Sequence, residues 1–239
     1  MEEGCIVIQT CDKYQCAWEG LFWSMNKYWD FTIPWTIYFC NEELDVSLPN
    51  QKYKQIKTGR ISHCEMMKSI MQKIECDYIF YMLEDFWPIK HMSKEMFMGL
   101  FNIFKENNWD SLKVTPHQPN HYELEGTSFS FNNQKILKYS KNSKWKFNQQ
   151  ASFWKREVFN GIISPPKEEH AEGKHNTSLG VEIAMDEKFQ KENPNAEVYL
   201  FNYLWYPVGG SIWRGKLTQI GEQIEFERQV DEYIKIKYC

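Results

Sequence analysis

The sequence lacks the features that would place it in a membrane or on nucleic acid. The sequence contains no stretch of about 18 apolar residues and therefore predicts no transmembrane segment. The 239 residues carry a formal net charge of -4, with acids and bases spread along the chain. A general nucleic-acid binder normally has a basic surplus. We therefore expect neither a membrane-spanning helix nor a nucleic-acid partner.

The sequence also lacks regularly spaced cysteine pairs and a secretory signal. The seven cysteines are odd in number and form no Cys-x-x-Cys pair, which indicates free thiols in a reducing compartment. The N-terminal MEEGCIVIQTC has neither the basic start nor the long apolar stretch of a signal peptide. These features favour a cytoplasmic protein, although a mature chain whose signal had been removed would read the same.

The composition favours a folded enzyme-sized domain. Hydrophobic residues make up 42% of the chain and aromatic residues 16%, which is enough for a sizeable core. There is no internal repeat, low-complexity linker or sharp change in composition. The sequence therefore predicts a single domain over residues 1–239.

Apolar runs alternate with helical periodicities in the first half. The predicted strands are Cys5–Ile8, Thr36–Cys40, Tyr53–Thr58, Tyr78–Leu83 and Ser111–Thr115. The predicted helices have apolar faces at Ala17, Leu21, Met25 and Tyr28, at Cys64, Met67, Met71 and Ile74, and at Met96, Leu100 and Ile103 after the N-cap Ser93. This β-α-β-α order predicts an α/β fold with a mixed, mainly parallel central sheet flanked by helices.

The second half is less regular. Phe129 and Phe131 alternate with serines, as in an edge strand or hairpin, and residues from Ile224 onward suggest an exposed helix. The remaining predicted elements are helices over Ala151–Phe159 and Val181–Phe189 and a strand over Glu197–Tyr203.

The stretch YIFYMLEDFWPIK places two acids at the end of a buried strand. In open parallel sheets, ligands bind beyond the carboxyl ends of strands where the strand order reverses. Thr10 and Asp12 follow the first strand, and Glu84 and Asp85 follow the later one. The first pair could hold a uracil or ribose, and the second a diphosphate bridged by Mg²⁺ or Mn²⁺. An ordinary solvated strand end explains the acids equally well.

Several blocks give the chain a family resemblance. The strand ending in Leu-Glu-Asp-Phe (83–86) follows Arg-Ile-Ser-His-Cys-Glu (60–65), and further blocks follow in order. These are Gln-Ala-Ser-Phe-Trp (150–154), Ser-Leu-Gly-Val-Glu (178–182) and Trp-Arg-Gly-Lys (213–216). The ordered set resembles nucleotide-sugar glycosyltransferases of the GT-A fold, which is Rossmann-like, over about residues 4 to 220. The resemblance is to small enzymes of bacterial glycan clusters and large DNA viruses.

The resemblance implies a role for particular residues. It implies Asp85 as the ligand of a divalent cation (Mn²⁺ or Mg²⁺) and Glu84 on the ribose or next to a metal ligand. It also implies Glu182 as the general base of an inverting transfer, with a retaining transfer as the open alternative. Arg60 and Lys216 are then candidates for diphosphate contact. About 1–115 would form the nucleotide-binding half and about 116–239 the acceptor and catalytic half.

The chain departs from the family pattern at two positions. Leu83 stands where the first acid of an Asp-x-Asp motif is common, and Leu179 where the family usually has tryptophan. The first departure bears on whether the activity depends on a metal. The second weakens the match around Glu182.

The expected function is transfer of a sugar from a nucleotide-sugar donor, most simply a UDP-sugar, to a glycan or glycoconjugate acceptor. A non-catalytic carbohydrate-binding protein is the alternative, because four aromatic residues of the irregular half could stack on sugars or pack in the core. They are Trp145, Trp154, Trp205 and Trp213. A nucleotidyltransferase is disfavoured because Gln9–Gln15 contains no glycine. A zinc site at His170 and His175 and a thiol nucleophile at Cys64 beside His63 are also disfavoured.

Overall fold

The computed structural model describes residues 2–115, 123–165, 178–206, 212–213 and 216–238. The strands are β1 (Glu2–Gln9), β2 (Thr36–Asn41), β3 (Tyr53–Lys57), β4 (Cys76–Leu83), β5 (Ser111–Thr115), β6 (Leu124–Phe131), β7 (Gln134–Tyr139), β8 (Ser152–Lys155), β9 (Val198–Asn202), β10 (Ile212–Trp213) and β11 (Lys216–Leu217). The helices are α1 (Trp18–Tyr28), α2 (His63–Lys73), α3 (Lys94–Glu106), α4 (Arg156–Ile162), α5 (Ser178–Glu192) and α6 (Gln219–Tyr238). A 3₁₀ helix, Asp12–Ala17, leads into α1.

Nine strands form one mixed sheet in the order β3-β2-β1-β4-β8-β5-β9-β7-β6. The strands β3, β2, β1 and β4 are parallel, as are β5 and β9, whereas β8 runs antiparallel to both of its neighbours. The hairpin β6–β7 closes the far edge and pairs with β9. The predicted fold class is confirmed, and parallel pairing is concentrated in the amino-terminal half.

Successive side chains of the central strands point to opposite faces of the sheet, so the core consists of two clusters, one on each face. Ile6 and Ile8 of β1 belong to the cluster that α1 and α3 cover. Cys5 and Val7 belong to the cluster that α2, α4 and α5 cover. Because successive side chains of a strand point to opposite faces, an apolar run without alternation is what a sheet covered on both sides requires. Among the described residues, no helix is long and apolar enough to span a bilayer.

The helices that flank the site begin at side-chain caps that the sequence shows. The Ser62 hydroxyl accepts from the Glu65 amide (3.3 Å) and the Glu65 carboxylate accepts from the Ser62 amide (3.1 Å), a capping box that starts α2. Ser93 caps α3 in the predicted way, accepting from Met96 at 3.2 Å. The inward face of α3 differs by one position from the prediction, because its buried residues include Phe97 and Phe101.

The helix predicted over Ala151–Phe159 is wrong. Residues Ser152–Lys155 form strand β8 between β4 and β5, and only Arg156–Ile162 is helical. The stretch Ala151–Trp154 is buried, since it lies in the middle of a sheet that helices cover on both faces. Periodicity alone does not show whether a short apolar run is a buried strand or a buried helix. Here the run is a strand because it pairs with two neighbouring strands.

Candidate functional site

The strand order of the sheet reverses between β1 and β4. On one side of β1 the sheet continues into β2 and β3, and on the other side lies β4, with Gln9 in register with Leu83. The residues that follow, Thr10 and Glu84, therefore emerge side by side at the carboxyl edge. The expectation that these two strand ends share an edge is confirmed, and this edge is where such sheets bind ligands.

Glu84 is buried against Thr10. The Thr10 hydroxyl accepts a hydrogen bond from the Trp18 indole (2.9 Å) and donates to the carbonyl of Cys11 (3.3 Å), and it lies close enough to the Glu84 carboxyl to oppose the rise of its pKa. Burial raises the pKa of Glu84 well above its usual range, and the charge of Asp85 raises it further. Glu84 therefore holds its proton to a higher pH than a surface glutamate does.

Asp85 carries a buried carboxylate oxygen without a partner. Its Oδ1 is shielded from solvent and accepts no hydrogen bond from the described part of the chain. Burial raises the pKa of Asp85 to about 7, its own amide opposes this, and the charge of Glu182 adds to it. A desolvated carboxylate is unfavourable unless a proton or a cation compensates it. The orphaned oxygen is what a bound divalent cation would satisfy.

Asp85 is the residue that could hold such a cation, with Glu84 next to it. Across the described ranges, no group of three or more His, Cys, Asp or Glu side chains is arranged around a metal position. Mg²⁺ and related ions in nucleotide enzymes are commonly bound by one or two carboxylates together with phosphate oxygens and water. These acids fit a cation that binds together with a diphosphate, and they do not form a preformed protein cage.

The aromatic residues after the two acids anchor the loop from within the core. Phe86 packs on Tyr206 with ring centroids 4.6 Å apart. Trp87 is 1% exposed, and its indole donates to the carbonyl of Glu84 at 3.0 Å. The indole also lies against α1 at Gly20, where an added Cβ would come within 2.1 Å of the ring. Only glycine at position 20 allows this approach.

We expect Gly20→Ala to lower the free energy of unfolding by about 1–3 kcal/mol, because the methyl group would displace Trp87 and the Glu84 carbonyl that it holds. Urea denaturation measures the effect. The matched control is Gly161→Ala in α4, where an added Cβ meets nothing within 4 Å. That change should be neutral or stabilising by up to about 1 kcal/mol. Equal stability of the two variants would show that Trp87 does not anchor the loop.

Glu182 lies in the first turns of α5 and is half-buried. Its Oε1 accepts a hydrogen bond from the amide of Gln149 at 2.9 Å. Burial raises the pKa of Glu182 to about 7, against the Gln149 hydrogen bond and the charge of Lys113. Because its charge also raises the pKa of Asp85, the fold brings these two acids within electrostatic reach from distant parts of the chain. A carboxylate with a pKa near neutrality suits a general base.

Backbone amides in the segment before β8 donate to two carboxylates of α5. The amides of Trp145 and Phe147 each donate to Asp186 at 2.9 Å, and the amide of Gln149 donates to Glu182. Because residues four apart share one face of a helix, both acids of α5 turn toward this segment. The position of Glu182 is therefore fixed by the backbone that it accepts from.

A fully buried lysine of the central sheet donates a hydrogen bond to the segment before β8. Lys113 of β5 donates to the carbonyl of Trp145 at 2.7 Å, and its ammonium lies 4.6 Å from the ring centroid of Tyr139. Burial lowers the pKa of Lys113 to about 7, while the charges of Asp186 and Glu182 oppose this. Trp145 has φ 61°, a left-handed conformation that costs a bulky residue about 1–2 kcal/mol. Its hydrogen bonds on both sides hold this strained conformation.

His63 connects the strand ends to the Glu182 side of the site. Its Nδ1 lies 3.3 Å from Nε2 of Gln9, and its Nε2 lies 2.9 Å from Nε2 of Gln149. The Gln9 amide oxygen accepts from the Tyr81 hydroxyl at 2.8 Å. Burial lowers the pKa of His63 to about 4, against the hydrogen bond with Gln149. A neutral imidazole has one donor and one acceptor, so one of the two amides turns its oxygen to the ring.

We expect His63→Gln to make the fold less sensitive to acid. The folded pKa of His63 is depressed from 6.5 to about 4, so its contribution to stability is present above pH 6.5 and is lost as pH falls toward 4. Between pH 7 and pH 4.5 the wild type should lose on the order of 2 kcal/mol more than the variant. Urea denaturation at both pH values measures this. The control is the exposed His91→Gln, and an equal response of the two variants would contradict the expectation.

The carboxylate of Asp12 is hydrogen-bonded to the loop after β2. Its carboxylate accepts from the Asn41 side chain (2.8 Å) and from the amides of Glu42, Glu43 and Leu44 at 2.9 to 3.2 Å. Burial raises its pKa, but these hydrogen bonds outweigh burial and the net shift is downward. The assignment of Asp12 to a uracil or ribose stays a prediction, and these contacts favour an indirect role through the loop.

The two predicted cationic residues lie on the surface. The side chain of Arg60 is 74% exposed and pairs with Glu43 at 3.0 Å, and Lys216 is exposed on β11. Within the described residues, neither contacts the acids at the sheet edge, so their assignment to a diphosphate stays a prediction. The neighbouring Gly209, Gly210, Arg214 and Gly215, and also His170 and His175, lie outside the described residues.

Sequence reasoning missed Lys113, Asp186, Gln149 and the position of His63. A lysine in the middle of the otherwise buried strand SLKVT was a usable signal, since an unpaired charge is rarely placed there. Asp186 could have been found from its spacing of four from Glu182. Gln149 and His63 carried no sequence signal, because long-range packing brings them together.

Searches of protein families and of curated proteins find no match to this chain. Solved structures do match. CMP:2-keto-3-deoxy-manno-octonic acid synthetase complexed with CTP has a TM-score of 0.52 at 9% identity, covering 95% of this chain and 99% of that one. S. aureus TarS 1–349 has a TM-score of 0.48 at 14% identity, and apo UDP-glucose pyrophosphorylase one of 0.48 at 9%. They cover 86% and 85% of this chain and 59% and 91% of theirs.

These likenesses concern the fold. The synthetase match extends over nearly the whole of both chains, which supports a GT-A-like arrangement of the central sheet. The chain spans about 59% of the length of the TarS fragment. At 9% identity the synthetase match shows the fold alone, and a fold alone does not determine an activity.

Proposed function

We propose that the protein transfers a sugar from a UDP-sugar to a hydroxyl of a glycan or glycoconjugate, with inversion at the anomeric carbon. The observation that carries this proposal is that Asp85, beside the point where strand order reverses, lies within electrostatic reach of Glu182 on α5, whose charge raises the pKa of Asp85. Both carboxylates have pKa values raised to about 7. Perturbed carboxylates of this kind concentrate at catalytic sites. UDP is the nucleotide in one TarS complex and is the first donor nucleotide to test.

The donor would occupy the carboxyl ends of β1 and β4. Asp85 is the proposed ligand of Mn²⁺ or Mg²⁺ through its unpartnered oxygen, with Glu84 and Thr10 on the ribose side. When bound, the cation supplies positive charge that neutralises the diphosphate and stabilises it on leaving. Arg60 and Lys216 are the proposed additional diphosphate contacts.

Glu182 is the proposed general base. Its Oε1 is held by the Gln149 amide at 2.9 Å, while Oε2 accepts no hydrogen bond from the described part of the chain. That second oxygen can take the proton from an acceptor hydroxyl as it attacks the anomeric carbon. Inversion requires the base to lie across the sugar from the leaving diphosphate, and Glu182 belongs to a different element from Asp85.

A nucleotidyltransferase is the competing activity, because the matched synthetase is complexed with CTP. In this chain the segment after β1 forms the 3₁₀ helix Asp12–Ala17 and contains no glycine, whereas such enzymes need a glycine-rich phosphate loop there. A carbohydrate-binding protein would not need carboxylates with raised pKa values at the end of β4 and on α5. These observations support sugar transfer over both alternatives.

An activity screen tests the proposal. The protein is incubated with Mn²⁺ and UDP-glucose, UDP-galactose or UDP-N-acetylglucosamine, with and without oligosaccharide acceptors, and UDP release is measured. A parallel reaction contains CTP or UTP with a sugar 1-phosphate, and pyrophosphate release is measured. UDP release that acceptors stimulate supports the proposal. Pyrophosphate release would establish the nucleotidyltransferase instead, and saccharide binding without either product would establish the carbohydrate-binding protein.

A further inference from the structure

A groove of about 600 Å³ opens beside α5, outside the donor site. Where the chain is described, the lining combines one aromatic ring, one aliphatic side chain and four polar or charged groups. The lining residues are Lys144, Trp145, Ile183, Asp186, Glu187 and Gln190. The proposed transfer assigns no role to this groove.

Trp145 is presented to the groove at a conformational cost. Its φ of 61° lies in the region that bulky side chains avoid. Its amide donates to Asp186 and its carbonyl accepts from the buried Lys113. An unfavourable backbone conformation that buried polar groups enforce is a mark of a functional position. The consequence of the strain is a half-buried indole on the wall of an open groove.

The polar lining has the chemistry that recognises hydroxyl groups. Ile183, Glu187 and Gln190 follow the helical spacing of four and three, so they share one face of α5. The Gln190 amide is fixed by its hydrogen bond to Asp186 at 2.7 Å. Among the described lining residues, two acids stand against one lysine, Lys144, which disfavours a diphosphate in this groove. Carboxylates and an amide beside an aromatic face suit a neutral saccharide.

We propose that this groove is an acceptor subsite, in which a saccharide stacks on Trp145 and donates hydroxyl hydrogen bonds to the polar face of α5. The proposal rests on the proposed sugar transfer. Asp186 lies one helical turn after Glu182, so the groove begins about 6 Å along α5 from the proposed base. The segment that carries Trp145 also supplies, through Gln149, the amide that fixes Glu182.

A second surface groove supplies a matched control. It has a volume of about 480 Å³ and includes Trp23 of α1, which is also half-buried. There the Lys27 ammonium lies 4.5 Å from the centroid of the Trp23 ring. Because Lys27 already lies over one face of this ring, Trp23 is a tryptophan at a groove whose stacking surface is partly covered.

The test compares Trp145→Gly and Trp145→Ala with Trp23→Ala. An array of defined neutral oligosaccharides first identifies a saccharide that the wild-type protein binds, and calorimetry then gives its Kd for each variant. We expect both Trp145 variants to bind it at least about tenfold more weakly and Trp23→Ala to bind it as the wild type does. The acceptor KM should rise by the same factor. Because glycine adopts a positive φ freely, Trp145→Gly should melt no lower than Trp145→Ala.

The Kd for UDP, measured in parallel, separates this inference from the proposed function. If the wild type binds UDP but no saccharide on the array, the acceptor subsite is overturned and the donor site stands. Unchanged saccharide affinity in both Trp145 variants would also overturn it. If the wild type fails to bind UDP, the proposed transfer is contradicted, and the acceptor subsite falls with it.

Discussion

Glu182→Gln is expected to lower the rate of sugar transfer by about 10²–10⁴-fold while leaving the affinity for UDP unchanged. The amide keeps the shape of the side chain and can still accept from Gln149, but it cannot take a proton from the acceptor hydroxyl. The substitution therefore removes the proposed base and leaves the donor half of the site intact. Single-turnover kinetics and calorimetric titration with UDP measure the two quantities.

The pH dependence of the rate gives a second signature of this base. The wild-type rate should rise as pH increases through about 7, because Glu182 must lose its proton to act. Glu182→Gln should lack that rise. The exposed Glu192→Gln on the same helix is the control and should behave as the wild type. A Glu182→Gln variant that transfers sugar at the normal rate would rule out the assignment.

Asp85→Asn is expected to lose cation-enhanced UDP binding and yet to unfold at a higher temperature than the wild type at pH 8. The carboxylate of Asp85 is desolvated and has an oxygen without a partner, so its ionised form opposes folding. An amide of the same size removes that charge. A side chain that lowers the stability of the fold is typical of a functional site.

The sign of the pH dependence follows from the raised pKa. The folded pKa of Asp85 is about 7 and the ordinary value is 3.8, so the unfolded chain releases its proton first and stability falls as pH rises between these values. The gain in Asp85→Asn should be absent near pH 4 and reach about 2–4 kcal/mol at pH 8. Differential scanning calorimetry measures it, with the exposed Asp77→Asn as control. If Asp85→Asn lowers stability at pH 8, Asp85 is a structural acid.

The carboxyl edge with Thr10 and Glu84 could be predicted because local sequence patterns determine it. The runs at Cys5–Ile8 and Tyr78–Leu83 identified two buried strands, and the rule for parallel sheets placed Thr10 and Glu84 at one edge. The predicted N-cap Ser93 marked the start of α3. In each case the signal lay within a few residues of the element that it specified.

The rest of the site depends on long-range packing and was not predictable. Strand β8 arises because Phe153 is inserted between β4 and β5, a choice that pairing makes and periodicity does not. Lys113 meets the carbonyl of Trp145 only after β5 and the segment before β8 have packed together. The strain at Trp145 is likewise invisible in the sequence, because the side chains that enforce it come from two other elements.

The most direct test of the central claim is calorimetric titration of the wild-type protein with UDP in the presence and absence of Mn²⁺. The claim is that Asp85 at the end of β4, with Glu84 and Thr10 beside it, holds a nucleotide diphosphate together with a divalent cation. It predicts that Mn²⁺ tightens UDP binding by at least about tenfold, and that Asp85→Asn abolishes this enhancement. UDP binding of equal strength with and without Mn²⁺, or no UDP binding by the folded protein, would contradict the claim.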